Sequence, residues 1–267
     1  AGTRFSVPPD NANGDVPINT YKKNFKGYLS FVKVGKEGEM DIAFQIETPG
    51  VNWDLSHAGK GKSHGWFFFS CYNTEQANTL LEVNASQKDK DFIMAVNWKK
   101  AEEYIKAGKG KKVKAKYVHN KWDEKTHTTK SEMRTEVLVL DSKELKDICY
   151  MIPCPKSPHG CDVDPTGEYI IGSGKLAALI PVFSFDKMKN AIAKKQFDGD
   201  YEGIPVIKYE AALHGEVKKP GLGPLHTEFY GKGNAYTTFF VSSEVVKWDI
   251  KTFKILDRHP TYYSPGH

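Results

Sequence analysis

Short runs of β-branched and aromatic residues, separated by turn signals, are the feature that most limits the folds open to this chain. Such residues favour strands because their side chains fit a pleated, half-buried surface. The runs occupy residues 28–34, 40–47, 66–72, 92–98, 136–140, 169–172, 180–185, 235–241 and 245–250. This distribution predicts an all-β fold.

Turns and helices punctuate the strand pattern. Glycine-containing turns are predicted at residues 36–38, 164–167 and 231–234. Two helical interruptions are also predicted. The first spans residues 99–107 and ends at a glycine, and the second spans residues 186–196, with Asp186 expected to cap its start.

A weak internal repeat organises the predicted strands. A turn glycine, an aromatic residue, two strands and a closing aromatic-Asp pair recur from Gly167 and from Gly233, with an earlier copy starting at Gly65. Successive small antiparallel sheets fit the blades of a β-propeller, while a sandwich or a barrel stays open as an alternative. At this spacing the 267 residues provide about four blades.

The charge balance argues against a dedicated nucleic-acid-binding protein. The chain has 38 Lys and Arg against 33 Asp and Glu, a net charge of +5, which is low for that class. Most of the excess lies in residues 106–121, which read either as a solvated loop or hairpin or as a contact for a polyanion. No apolar run is long enough for a transmembrane helix.

Four cysteines give no disulfide framework, because they are few and unevenly spaced. Cys149, Cys154, His159 and Cys161 have the residue types of a zinc site, but their spacing lacks the paired CxxC pattern that identifies such sites. Buried thiols are the alternative interpretation. The sequence also has no Gly-x-Ser-x-Gly, Walker A or His-Glu-x-x-His motif, which argues against those hydrolase and nucleotide-binding classes.

Three of the nine histidines share a local pattern. His159 in Ser-Pro-His-Gly, His226 in Gly-Pro-Leu-His and His267 in Ser-Pro-Gly-His each follow a proline within three residues. We expect stiff loops to hold them at the mouths of successive blades, from which imidazoles converge on the propeller axis. Three such imidazoles would suit copper, zinc or iron. Three unrelated loop histidines are the alternative.

Long stretches around these histidines resemble a known family. The stretches are KSPHGCDVDPTGEYIIGSGKL at residues 156–176, KPGLGPLHTEFYGKGNAYTTFFVSSEVVKWDI at residues 219–250 and YYSPGH at residues 262–267. They closely resemble nitrous oxide reductase, the copper enzyme that reduces nitrous oxide to dinitrogen, and its Sec-exported branch in particular. The similarity continues upstream through SCYNTEQANTLLEVNASQKDKDFIMAVNW.

The resemblance implies a copper enzyme. In this family a seven-bladed propeller holds a tetranuclear copper-sulfide centre on seven histidines, and a cupredoxin domain of the partner subunit supplies electrons from a dinuclear copper centre. It implies that His159, His226 and His267 are copper ligands with a catalytic role. The family's other ligands, the Lys and Glu beside the cluster and the cupredoxin domain have no counterpart here. We therefore expect residues 1–267 to be a central fragment of one propeller domain and to be inactive alone.

The family also has a calcium site that steadies the copper-binding loops. Its pattern matches Tyr72, Glu75, Asp91 and Ser157, although an amide side chain is usual at the last position. Oxygen ligands of this kind suit calcium, and the two carboxylates would neutralise its charge. An ordinary pair of surface acids is the alternative reading of Glu75 and Asp91.

The resemblance extends to partners and location. It implies nitrous oxide as substrate, an electron donor such as a c-type cytochrome or a cupredoxin, a homodimer, and a periplasmic or otherwise exported protein. A different class stays open beside the redox enzyme: a non-enzymatic propeller that binds a protein or a polyanion through its loops and residues 106–121.

Overall fold

The computed structural model describes residues 2–6, 26–72, 91–231 and 233–266. Strands dominate this part of the chain, which confirms the all-β fold. The strands are β1 (Gly2–Ser6), β2 (Lys26–Val34), β3 (Met40–Pro49), β4 (Asn52–Ala58), β5 (Trp66–Tyr72), β6 (Phe92–Asn97), β7 (Lys111–Asp123), β8 (Thr128–Asp141), β9 (Cys149–Pro153), β10 (Pro158–Val163), β11 (Tyr169–Gly174), β12 (Leu179–Ser184), β13 (Phe197–Tyr201), β14 (Ile204–Ile207), β15 (Leu213–Lys218), β16 (Pro224–Tyr230), β17 (Asn234–Phe239), β18 (Glu244–Asp249) and β19 (Ile255–Pro260). The helices are α1 (Trp98–Lys106), α2 (Phe185–Ala193) and α3 (Tyr209–Ala212).

The chain divides into two compact units, each built from two separate stretches. The first unit comprises Ala1–Gly50 and Lys99–Ile148, and the second comprises Val51–Trp98 and Cys149–His267. The first unit is organised on a five-stranded sheet with the order β1-β2-β3-β8-β7. Leu29, Phe44, Ile46 and Leu140 are buried on this sheet. The expectation that residues 1–267 form part of one propeller domain stays a prediction.

Most of the basic stretch at residues 106–121 lies in strand β7. It pairs with β8 in a long antiparallel hairpin and is the edge strand of the sheet. Its lysines are exposed at positions 111, 112, 114, 116 and 121. An edge strand presents unpaired backbone groups, and lysine side chains along it oppose pairing with another chain. The hairpin interpretation of this stretch is therefore confirmed, and edge protection explains its charge.

The second unit contains three sheets. Their orders are β13-β14-β9-β6-β5-β4, β10-β11-β12-β15 and β16-β17-β18-β19. The last two are four-stranded antiparallel sheets of the kind predicted for propeller blades. In the first, β4, β5, β6 and β9 form the same pattern, and β14 joins β9 in parallel. Strands β6 and β9 are neighbours in this sheet but distant in sequence. The second stretch of the first unit, Lys99–Ile148, lies between them in the chain.

Two hydrophobic clusters hold the three sheets together. Strand β11 serves both clusters, because Ile170 belongs to one and Ile171 to the other, on its opposite faces. The first cluster also contains Phe68, Ile93 and Phe183, and the second contains Phe239, Val246 and Trp248. Burying each of these large side chains contributes about 1.5–3 kcal/mol.

Several local predictions are confirmed and two are corrected. The predicted turn glycines Gly38, Gly167 and Gly233 have positive φ, as glycine permits in tight turns. Helix α2 ends at Ala193, not at residue 196, and its N-cap is Ser184, whose hydroxyl accepts a hydrogen bond from the Lys187 amide. The predicted cap, Asp186, lies inside the first turn and instead forms an ion pair with Lys62.

Strands β10 and β16 approach each other closely at a glycine. A Cβ added at Gly160 would lie 2.1 Å from the carbonyl oxygen of Leu225. Because the Cβ would meet a backbone atom and not a flexible side chain, the two strands would have to separate to relieve the clash.

We expect Gly160→Ala to lower the free energy of unfolding by about 1–3 kcal/mol, since overpacking forces a backbone shift. Gly231→Ala is the matched control, because nothing lies within 4 Å of a Cβ at that position. Denaturant unfolding of both variants measures the difference, and an equal effect of the two substitutions would contradict the close approach.

Candidate metal centre

The structure brings together two of the three predicted metal-binding histidines. His159 lies on β10 and His226 lies on β16. Their ring centroids are 5.0 Å apart, with the rings inclined by 69°. His267 lies outside the described residues. The two rings are therefore neighbours, while their convergence on a propeller axis and their role as metal ligands stay predictions.

The histidines lie on bulged strands and not on stiff loops, which corrects the sequence interpretation. In β10 the pairing register shifts between Pro158 and Cys161, and in β16 it shifts between Pro224 and Thr227. Strand β4 has an equivalent shift between Trp53 and Ser56. A β-bulge adds one unpaired residue to a strand and changes the direction of its side chain. Strands β4, β10 and β16, each the first strand of its sheet in the second unit, all have such a shift.

Each of the two imidazoles is held by a carboxylate through its Nδ1 atom. His159 Nδ1 lies 2.6 Å from Asp54 Oδ2, and His226 Nδ1 lies 3.2 Å from Asp162 Oδ1. An ionised carboxylate only accepts hydrogen bonds, so Nδ1 donates in both contacts. The Nε2 atoms of both rings are buried. Neutral imidazoles in this tautomer carry the metal-binding lone pair on Nε2.

Asp162 is the most connected group of the site. Its Oδ2 accepts a hydrogen bond of 2.7 Å from the Thr227 amide, and its Oδ1 lies 3.6 Å from His57 Nδ1. Burial favours a higher pKa for this carboxyl. Hydrogen bonds from His226, His57 and Thr227 outweigh that effect, so that the pKa of Asp162 lies below its usual value.

His226 responds in the opposite direction. Its hydrogen bond to Asp162 raises the pKa of the imidazole above 6.5, and burial offsets only part of the increase. A protonated imidazole cannot bind a metal through Nε2. Protons therefore compete with a metal ion for this side chain up to a higher pH than they would at an ordinary histidine.

Three site residues were missed by the sequence analysis: Asp54, His57 and Asp162. Asp54 and His57 lie on β4, whose polar sequence did not give a strand signal. Asp162 follows His159 by three residues within the recognised Pro-His-Gly stretch, so an acidic residue beside a candidate ligand was the available signal. Their spatial role depends on the packing of β4 and β16 beside β10.

Three of the four cysteines are buried thiols, and Cys154 is partly exposed. Cys149 and Cys161 are buried, and burial raises the pKa of both thiols far above the usual range. Cys161 Sγ lies 3.3 Å from the carbonyl oxygen of Phe68, which it contacts as a weak donor. Among the described residues no group of three or more His, Cys, Asp or Glu has the geometry of a metal site.

The structure joins two of the four predicted calcium-binding residues. The Ser157 amide donates a hydrogen bond of 2.8 Å to Asp91 Oδ2, and both residues are buried. Ser157 has a φ of +56°, a left-handed conformation that asparagine adopts more easily than serine. Tyr72 ends β5, and Glu75 lies outside the described residues.

No helix in the described ranges has the length and apolar character needed to cross a membrane.

Sequence comparisons confirm the resemblance to nitrous oxide reductase. The chain is 31% identical over 242 residues to the nitrous-oxide reductase of Stutzerimonas stutzeri, covering 85% of this chain and 32% of that protein. It is 29% identical over 279 residues to the Pseudomonas fluorescens nitrous-oxide reductase, covering 100% of this chain and 38% of that protein. The chain is thus related to these reductases and spans about a third of their length. No family model matches it.

Solved structures give a more distant similarity. The Kuenenia stuttgartiensis hydrazine synthase aligns with a TM-score of 0.46 at 12% identity, covering 92% of this chain and 57% of that one. A similarity at this level does not by itself decide the fold.

The pH dependence of stability follows from the Asp162–His226 pair. The folded-state pKa of Asp162 lies below 3.8, so its contribution to stability is present above 3.8 and is lost as the pH falls through the lower folded value. The folded-state pKa of His226 lies above 6.5, so its contribution is present below 6.5 and is lost as the pH rises through the raised value.

We therefore expect the difference in Tm between the protein and Asp162→Asn to be largest between pH 3.8 and 6.5. Calorimetry over a pH series measures it. A difference that stays constant from pH 4 to pH 9 would show that the pair does not act electrostatically.

Proposed function

We propose that this chain supplies part of the copper site of a nitrous-oxide-reducing enzyme. The observation that carries the proposal is the meeting of His159 and His226, each in a family-like motif and each held by a carboxylate. The relationship to nitrous-oxide reductases supports the choice of reaction.

The donor set fits copper. Imidazole nitrogen is a preferred copper ligand, and both rings direct Nδ1 to a carboxylate, which leaves Nε2 as the metal-binding atom. The two rings are close enough to ligate one metal centre, and His267 is proposed as a third ligand. The low exposure of the two side chains, 16% for His159 and 21% for His226, limits the access of water.

Bound copper would supply the two electrons that convert nitrous oxide and two protons to dinitrogen and water. The chain's own contribution is to hold and orient. The bulges of β10 and β16 direct the imidazoles, Asp54 and Asp162 fix their tautomers, and Gly160 lets the two strands approach. A site with ligands fixed in this way would need little rearrangement when the metal acts.

A calcium ion is proposed at Asp91, with Tyr72, Glu75 and Ser157 as further ligands. Carboxylate oxygens are preferred calcium ligands, and Asp91 is a buried carboxylate next to the predicted ligand Ser157. Its hydrogen bond to the Ser157 amide connects this position to the start of β10, two residues before His159. Calcium at Asp91 would thereby restrict the segment that leads into the copper ligand.

The remaining parts of the proposal are those that the resemblance to the family implies. We propose a periplasmic or otherwise exported protein that acts as a homodimer. Electrons would come from a c-type cytochrome or a cupredoxin by way of a dinuclear copper centre.

We expect His226→Ala in the natural full-length protein to reduce copper content and to lower nitrous oxide consumption, driven by reduced viologen, to background. The imidazole is a ligand that alanine cannot replace. His259→Ala is the control, because this histidine is exposed on β19 and lies outside the site. Normal copper content and turnover in His226→Ala would refute the proposed function.

Asp91→Asn tests the calcium proposal. Loss of the carboxylate charge should weaken calcium binding and reduce copper retention during chelator dialysis by about 10-fold, as removal of outer partners of metal ligands commonly does. Asp198→Asn, at an exposed position, should change neither. Metal analysis after dialysis measures both ions, and copper retention equal to that of the unaltered protein would contradict the link.

A further inference from the structure

Asp162 links three strands that come from three different sheets. The residue itself belongs to β10, the amide and imidazole that it binds belong to β16, and His57 reaches it from β4. The Asp162 residue is only 6% exposed. Asp162 is therefore a buried carboxylate with hydrogen-bonding partners on both neighbouring strands, which distinguishes it from a surface ion pair.

The two oxygens of Asp162 have separate tasks. Oδ2 accepts from the Thr227 amide at 2.7 Å and so fixes the backbone beside His226. Oδ1 faces the Nδ1 atoms of His226 and His57, at 3.2 Å and 3.6 Å. An amide side chain has only one accepting oxygen, so asparagine could serve one of these tasks and not both.

His57 is an imidazole at the site that the family motifs did not indicate. It is partly exposed, with 26% of its side-chain surface accessible, and it contacts the same carboxylate oxygen as His226. This shared contact means that the position of Asp162 Oδ1 depends on both rings. His57 is therefore placed to influence His226 without touching it through a direct bond.

We propose that Asp162 is a positioning residue that holds His226 with Nδ1 protonated and Nε2 facing the metal, and that His57 acts on His226 through Asp162. This inference rests on the proposed copper site. Without the carboxylate, the His226 ring loses the hydrogen bond that opposes rotation about its Cβ–Cγ bond and transfer of its proton to Nε2. Either change would take the Nε2 lone pair away from the proposed copper ion.

The test uses the natural full-length protein loaded with copper, and it compares Asp162→Asn with Asp164→Asn. Asp164 is a matched control because it is similarly buried, two residues away, and its carboxylate, among the described residues, accepts hydrogen bonds from Thr166 and Tyr169 of its own turn. We expect Asp162→Asn to retain about 10-fold less copper than Asp164→Asn during chelator dialysis and to change the copper EPR spectrum. Asp164→Asn should lower Tm and leave the spectrum unchanged.

Two substitutions at His57 test whether this residue acts on His226 through Asp162. They also provide a test of the contact if Asp162→Asn does not fold. His57→Gln keeps a donor for Asp162, whereas His57→Leu removes it. We expect copper retention and the EPR spectrum to be preserved in His57→Gln and altered in His57→Leu. Identical behaviour of the two variants would overturn the role of His57.

The outcomes separate this inference from the proposed function. Copper retention and EPR spectrum in Asp162→Asn equal to those of Asp164→Asn would overturn the positioning role, while copper loss in His226→Ala would keep the proposed function intact. If His226→Ala also retained copper, the proposed function and this inference would fail together.

Discussion

The close backbone contact between β10 and β16 is the constraint on which the candidate site depends. Only a residue without a Cβ fits where Gly160 faces the Leu225 carbonyl. Because His159 precedes this glycine and His226 follows Leu225, the contact sets the 5.0 Å separation of the two rings. The carboxylates of Asp54 and Asp162 then fix how each ring is turned. Backbone packing thus sets the distance between the two imidazole rings, and the hydrogen bonds to the carboxylates set the orientation of each ring.

Most strands could be predicted from the sequence because their residues are buried on two faces or alternate regularly. Strand β11 is an example, since its paired isoleucines serve two clusters and give an unambiguous apolar run. Strand β4 was missed because it is polar, and α2 was given the wrong cap because Ser184 and Asp186 are both good capping residues. The side chain of Asp186 instead pairs with Lys62, a residue distant in sequence that local patterns do not reveal.

The candidate site was predictable only in part. Motifs selected His159 and His226, but they placed both on loops, because a proline before a histidine does not reveal a bulge inside a strand. The partner Asp54 lies 105 residues before His159, and His57 lies equally far before Asp162. Local sequence patterns carry no information on such contacts, which arise only when the first strands of successive sheets pack side by side.

The pairing of β6 with β9 has a consequence for the order of folding. Residues 99–148, which form the second stretch of the first unit, lie between these two strands. When neighbouring strands are this far apart in sequence, a long loop must close before they can pair. The entropy lost on closing the loop slows folding. Until β9 docks, β6 presents an open edge of buried-type residues. During synthesis the sheet that carries Asp54 therefore stays incomplete until residues 99–148 have emerged from the ribosome, and an open strand edge of this kind favours aggregation until β9 pairs with it.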